Sequence, residues 1–176
     1  HREFAKTAAK HGVAILCQKP MAPTLKEAEE MVAEIGEKVR FMVHENWRFR
    51  PQYRKAAVWI AERKTGMINE FRFSTRSSGL MMRTESGRPF ALERQPFMAH
   101  MPRFIILELL IHHLDTVRFL LGAIQVIGAQ VLRISPEVIG EDVAVILLKA
   151  EKGAIGTVSG NFSAAGAPLL PQDRLE

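Results

Sequence analysis

The segment 104-FIILELLIHHLDTVRFLLG-122 leaves a chain few options. Apolar side chains fall on nearly every face of a helix drawn through it, so such a helix must be buried almost all round. Yet it carries Glu108, His112, His113, Asp115 and Arg118. At helical spacing Glu108, His112 and Asp115 stand at i, i+4 and i+7 and share one stripe. Charge buried without a partner is costly, so the stripe must be paired or must open into a cavity. Three readings follow from the residues alone. His112 is an acid–base group supported by the two carboxylates, since an imidazole one turn from a carboxylate is suited to proton transfer. Alternatively, an Asp115–Arg118 pair at i, i+3 merely holds the helix, with Glu108 and His112 satisfied inside the fold. As a third option the trio ligates a metal, which is disfavoured because no second His/Cys cluster completes the set. His113, off the stripe, reads as packing or an edge contact.

Upstream, residues 2 to 11 predict a helix closed by Gly12, and 13-VAIL-16 predicts a short buried strand ending at Cys17-Gln18-Lys19-Pro20. Thr24-Leu25-Lys26-Glu27 is a capping box, and Ala28, Met31, Val32 and Ile35 recur at helical spacing behind it. With 39-VRFMVHE-45 as a second strand, this is strand, helix, strand with room for a parallel crossover. A helix is expected at about 52 to 64. The stretch 68-INEFRFSTRSS-78 alternates like a strand of an antiparallel sheet with one wet face. Residues 79 to 103 are expected to form a long loop, and 104 to 121 the helix above. Strands are expected near 125–134, 142–150 and 154–163, with Glu151-Lys152-Gly153 as a tight turn.

Composition narrows the class. The chain has 176 residues, 47% of them hydrophobic, enough for a sizeable core. No apolar run reaches about 18 residues, so no membrane helix is expected. The start, 1-HREFAKTAAKHG, lacks the apolar stretch of a signal peptide. A single cysteine, Cys17, fits a reducing compartment, with the cytoplasm as default. The net charge of +5 is spread along the chain without a basic cluster, which suits an anionic small ligand such as a dinucleotide better than nucleic acid. Lys19 follows a buried strand and so stands at the carboxyl edge of a parallel sheet, where open α/β sheets bind ligands. A lysine there can take part in proton transfer; in isolation, a surface lysine in a turn is the plainer reading.

Together, 12-GVAILCQKPMAPTLKEAEEMV-32, 46-NWRFRP-51 and 108-ELLIHHLDTVRFLLG-122 resemble the glucose-fructose oxidoreductase/inositol dehydrogenase family, Gfo/Idh/MocA. The family pattern is E-K-P before a helix, then N-x-R-F-x-P, then D-x-G-x-H-x-x-D on a helix ending L-x-G. The resemblance covers essentially the whole chain, most weakly at 79 to 103. It implies an α/β remnant of a Rossmann domain (a terminal βαβ, residues 1–46), followed by an α+β substrate and oligomerisation domain (47–176) with a mostly antiparallel open-faced sheet. It implies an oxidoreductase using NAD or NADP on a sugar, polyol or related hydroxyl/carbonyl compound, and a homo-oligomer, most simply a dimer. By the resemblance Lys19, His112 and Glu108 are catalytic, and Asp115 supports the helix and the histidine. Gln18, Lys19, Pro20, Asn46, Trp47 and Arg48 would lie at the cofactor.

Three departures stand out. Gln18 replaces a glutamate, Glu108 replaces an aspartate and shifts its carboxylate by about 1.5 Å, and Leu110 replaces a glycine, which is expected to narrow the space for substrate or cofactor. These motivate an alternative, a non-catalytic sugar or cofactor sensor, or a structural subunit, on the same fold. The G-x-G-x-x-G fingerprint of dinucleotide binding does not occur. The chain is therefore expected to be an internal fragment, inactive alone, of a protein extending in both directions.

Overall fold

The computed structural model describes all 176 residues, His1–Glu176. They divide into two compact units, His1–Asn46 and Trp47–Glu176. No helix is long and apolar enough to cross a membrane.

The first unit runs α1 (Arg2–Lys10), β1 (Ile15–Gln18), α2 (Leu25–Ile35), β2 (Phe41–His44). The strands pair parallel, Ile15 opposite Phe41 and Gln18 opposite His44. The first strand begins two residues later than 13-VAIL-16 suggested. The Val13 amide donates to the Ala8 carbonyl, closing α1 instead of entering a ladder. Thr24 caps α2: its hydroxyl accepts from the Glu27 amide (3.2 Å) and donates to the Glu27 carboxylate (2.7 Å). Met31 and Ile35 bury completely against Ala5 and Cys17, while Val32, which shares their spacing, is exposed.

The second unit is built on a five-stranded sheet ordered β4-β5-β6-β3-β7. Its strands are β3 (Glu70–Arg76), β4 (Ile124–Leu132), β5 (Val143–Ala150), β6 (Ile155–Asn161) and β7 (Gln172–Leu175). Strands β4, β5 and β6 are antiparallel neighbours, β3 runs parallel to β6, and β7 runs antiparallel to β3. The mostly antiparallel sheet is thus present, but β3 is not wholly antiparallel as its alternation suggested. Alternation reports one dry face and says nothing of a neighbour's direction. The strand β7 lies in 171-PQDRLE, where none was expected; its four residues are too few to display a period.

The helices α3 (Pro51–Ala61) and α5 (Ile111–Leu121) belong to the layer on the dry face, among Phe73, Phe104, Leu110 and Val158. Two further corrections concern this layer. Residues 79 to 103 are not a bare loop: they contain α4 (Phe90–Arg94) and a 3-10 segment, Pro96–His100, whose Leu92 and Met98 reach the core. The helix expected from 104 is α-helical only from Ile111, and Ile106–Leu110 forms a π turn. A π turn brings residues five apart onto one spot. Here they are Ile105 and Leu110, both fully buried and both packed over Gly160 of β6. Leu110 is thus accommodated by a glycine on the facing strand. It lies in the core, not in the space for a ligand, which corrects the expectation that it crowds the site.

Candidate active site

In the second unit the π turn and the start of α5 form one wall of a cleft of about 250 Å³. Its polar lining comprises Arg50, Arg94, Gln95, Glu108 and His112, with Trp47 beside them. Two members of the sequence stripe therefore meet in one cavity. Arg94 and Gln95 come from the segment expected to be loop, and α4 is what places them there.

His112 is 8% exposed, and its ring stacks on Trp47 with centroids 4.5 Å apart and planes within 6°. The stack fixes the plane of the imidazole, which lines the cleft. The guanidinium of Arg50 lies 3.7 Å from the centroid of the Trp47 ring, within cation–π range. Glu108, half-buried one turn earlier, adds a carboxylate to the same wall. A base, a carboxylate and two guanidiniums around one small cavity can bind a polyhydroxylated molecule and take a proton from one of its hydroxyls.

The third stripe residue is elsewhere. Asp115 is gripped by Arg48, whose Nε donates to Oδ2 at 2.6 Å and whose Nη2 donates to Oδ1. This two-point pair ties the 3-10 turn Trp47–Phe49 to α5. It also corrects the alternative in which Asp115 pairs with Arg118 three residues on. No three His, Cys, Asp or Glu side chains converge as a metal site would require.

His113 is more than packing. It is fully buried, with Nδ1 3.2 Å from the Leu109 carbonyl and Nε2 3.0 Å from Asp173 Oδ1. Asp173, on β7, also accepts from the Tyr53 hydroxyl (3.2 Å) and Arg50 Nη1 (3.4 Å). Burial pushes the Asp173 carboxyl up, but the hydrogen bond and charge of His113, with the Tyr53 hydroxyl, outweigh it and leave it below the usual carboxylate range. The Tyr53 phenol is pushed up, first by burial and then by the Asp173 charge. None of these partners was legible. Asp173 lies 60 residues from His113 and 120 from Tyr53.

In the first unit Gln18 is the last residue of β1, Lys19 and Pro20 follow it, and Asn46 lies just beyond the end of β2. Because the strands are parallel, all four gather at one edge. The Gln18 Oε1 accepts from the Lys19 amide at 2.9 Å, and the Lys19–Pro20 peptide is cis. Two side-chain amides and an ammonium form a donor-bearing edge, and this donor set fits a dinucleotide with its nicotinamide amide and phosphates.

A family model described as GFO/IDH/MocA C-terminal domain matches residues 53–176, and one described as oxidoreductase family, NAD-binding Rossmann fold, matches residues 1–45. A D-apiose dehydrogenase of Paraburkholderia graminis is 37% identical over 178 residues, which cover 100% of this chain and 45% of that protein. Another from Rhizobium rhizogenes is 36% identical over 164 residues, 93% of this chain and 45% of that protein. The chain thus spans about half the length of the curated relatives it matches. An oxidoreductase from Agrobacterium radiobacter, solved in complex with NAD+, L-tartaric acid and magnesium, superposes with a TM-score of 0.86 at 33% identity. That match covers 99% of this chain and 49% of the other.

Proposed function

Because this chain belongs to the GFO/IDH/MocA family of oxidoreductases, we propose that it carries the acid–base half of a nicotinamide-dependent sugar dehydrogenase. The observation that carries this reading is the cleft in which His112, its plane set by Trp47, stands beside Glu108. A bound NAD would accept the hydride from the carbinol carbon of the sugar. The hydroxyl proton passes to His112, leaving a carbonyl. Glu108 accepts a hydrogen bond from a neighbouring hydroxyl, and Arg94 and Gln95 donate to others, which fixes which carbon reacts. Gln18, Lys19, Pro20 and Asn46 are the residues that would hold the nicotinamide end. Asp115 and Arg48 brace α5 against the turn that presents Trp47.

The family resemblance assigns Lys19 to the same proton transfer. In the full-length protein Lys19→Ala is expected to lower kcat at least about 100-fold with NAD affinity largely kept. Near-normal turnover would remove Lys19 from the chemistry. The relatives named D-apiose dehydrogenase make D-apiose the first substrate to try. The two guanidiniums on the cleft also suit a carboxylate, so L-tartrate belongs in the panel. The non-catalytic reading is favoured instead by a full-length protein that binds NAD and oxidises nothing in a broad sugar and polyol panel.

The face of the sheet away from the helices exposes Leu132, Val145, Leu147 and Ile155 on adjacent strands. Apolar side chains grouped across three strands call for cover, and a second copy supplies it by symmetry. A homo-oligomer, most simply a dimer, is proposed. Leu147→Arg is expected to shift the mass from light scattering to that of a monomer. An unchanged oligomer would place the interface elsewhere.

A further inference from the structure

Asp173 lies in no motif of the sequence, yet it sits at the centre of a partly buried polar cluster that reaches the cleft through Arg50. Two things pack on the Trp47 ring besides His112. One is the guanidinium of Arg50, 3.7 Å from the ring centroid. The other is the ring of His113, 4.7 Å away and tilted by 60°. Asp173 holds both: Oδ2 faces Arg50 Nη1 at 3.4 Å, and Oδ1 faces His113 Nε2 at 3.0 Å. Tyr53 adds its hydroxyl to Oδ2 at 3.2 Å. The carboxylate points to the dry side of the sheet because Asp173 pairs with Thr75 of β3, which is buried. The Leu109 carbonyl fixes the other nitrogen of His113, so that ring is tied at both ends.

We infer that Asp173 is a positioning residue, acting through His113 and Arg50 on Trp47, and through the Trp47 stack on the plane of His112. The inference rests on the reading of His112 as the proton acceptor. One carboxylate on an edge strand thereby sets the orientation of a base that it does not touch. A hydroxyl proton is taken efficiently only along the in-plane lone pair of the imidazole, so a tilt of the ring costs rate more than binding. The expected signature is therefore a fall in kcat with KM nearly unchanged.

The test uses the full-length protein with histidine rings isotopically labelled. His112 is assigned as the signal lost in His112→Asn. In the wild type, stacking on the indole must move the His112 ring protons upfield. In Asp173→Asn that upfield shift is expected to shrink, with kcat lower by about 10-fold or more and KM for the sugar within about threefold. Tyr53→Phe, which keeps the aromatic core and removes one donor to Asp173, is expected to show the same two effects, smaller. Should Asp173→Asn fail to fold, Tyr53→Phe and the wild-type spectrum still decide. An Asp173 role in stability alone would lower the melting temperature and leave the His112 shift and kcat in place, which would overturn the inference. A wild-type His112 without the upfield shift would overturn it as well. If Asp173→Asn loses the ring shift in a protein that oxidises no sugar, the coupling to His112 stands and the dehydrogenase reading falls.

Discussion

His112→Asn in the full-length protein is expected to lower kcat for sugar oxidation by at least about 100-fold, with NAD binding kept. A positioned base contributes roughly 10²- to 10⁴-fold, and asparagine retains a polar group of similar reach without accepting a proton at neutral pH. The nearby carboxylate does not substitute easily. Glu108 lines the same cleft one turn away, but the Trp47 stack orients the His112 ring and not this carboxylate. Glu108→Gln is accordingly expected to cost less than His112→Asn. The check is a pair of steady-state series with cofactor affinity measured separately. Equal activity of His112→Asn and wild type would move the base elsewhere.

The second large effect concerns stability. Gly156 of β6 stands opposite Phe71 of β3, and a Cβ there would lie 2.1 Å from the Phe71 backbone oxygen and 2.6 Å from its ring. Neither atom is the end of a flexible side chain, so the parallel β3/β6 ladder must open to make room. Overpacking in a core costs about 1–3 kcal/mol when side chains can adjust. With a backbone carbonyl as the obstacle, Gly156→Ala is expected to cost about 3 kcal/mol or more. Gly160→Ala would first meet the side-chain ends of Ile105 and Leu110, at 2.8 and 2.9 Å, and is expected to cost less. Gly128→Ala on β4 meets nothing within 4 Å and serves as the control. Denaturant midpoints should fall in that order, and a Gly156→Ala protein as stable as Gly128→Ala would contradict the packing of β3 on β6.

What the sequence discloses and what it hides divide along a physical line. Local periodicity and capping are written in adjacent residues, so α1, α2, the parallel pair β1/β2 and the hairpin β5/β6 were legible, as was the joint placement of Glu108 and His112. Partners set by tertiary packing were not. Asp115 has an arginine three residues away and another 67 residues back, and it takes the distant one. The His113–Asp173 contact joins a helix to an edge strand too short to show a pattern. The π turn depends on Gly160, some fifty residues downstream, being small enough for Ile105 and Leu110 together. Arg94 and Gln95 lie in a stretch rich in turn-forming residues, and only its packing through Leu92 and Met98 reveals a cleft wall.

Hydride is proposed to pass directly from a sugar carbon to NAD, with the hydroxyl proton of that carbon taken by His112. The decisive experiment uses the full-length protein, NAD, and D-apiose deuterated at the carbon to be oxidised, with the sugar and polyol panel alongside. The expected result is reduced cofactor carrying the deuterium, formed more slowly than from unlabelled sugar, and in neither case formed at an appreciable rate by His112→Asn. Cofactor that binds but stays oxidised with every sugar, or reduced cofactor whose deuterium has been lost to water, would rule out direct hydride transfer with His112 as the base.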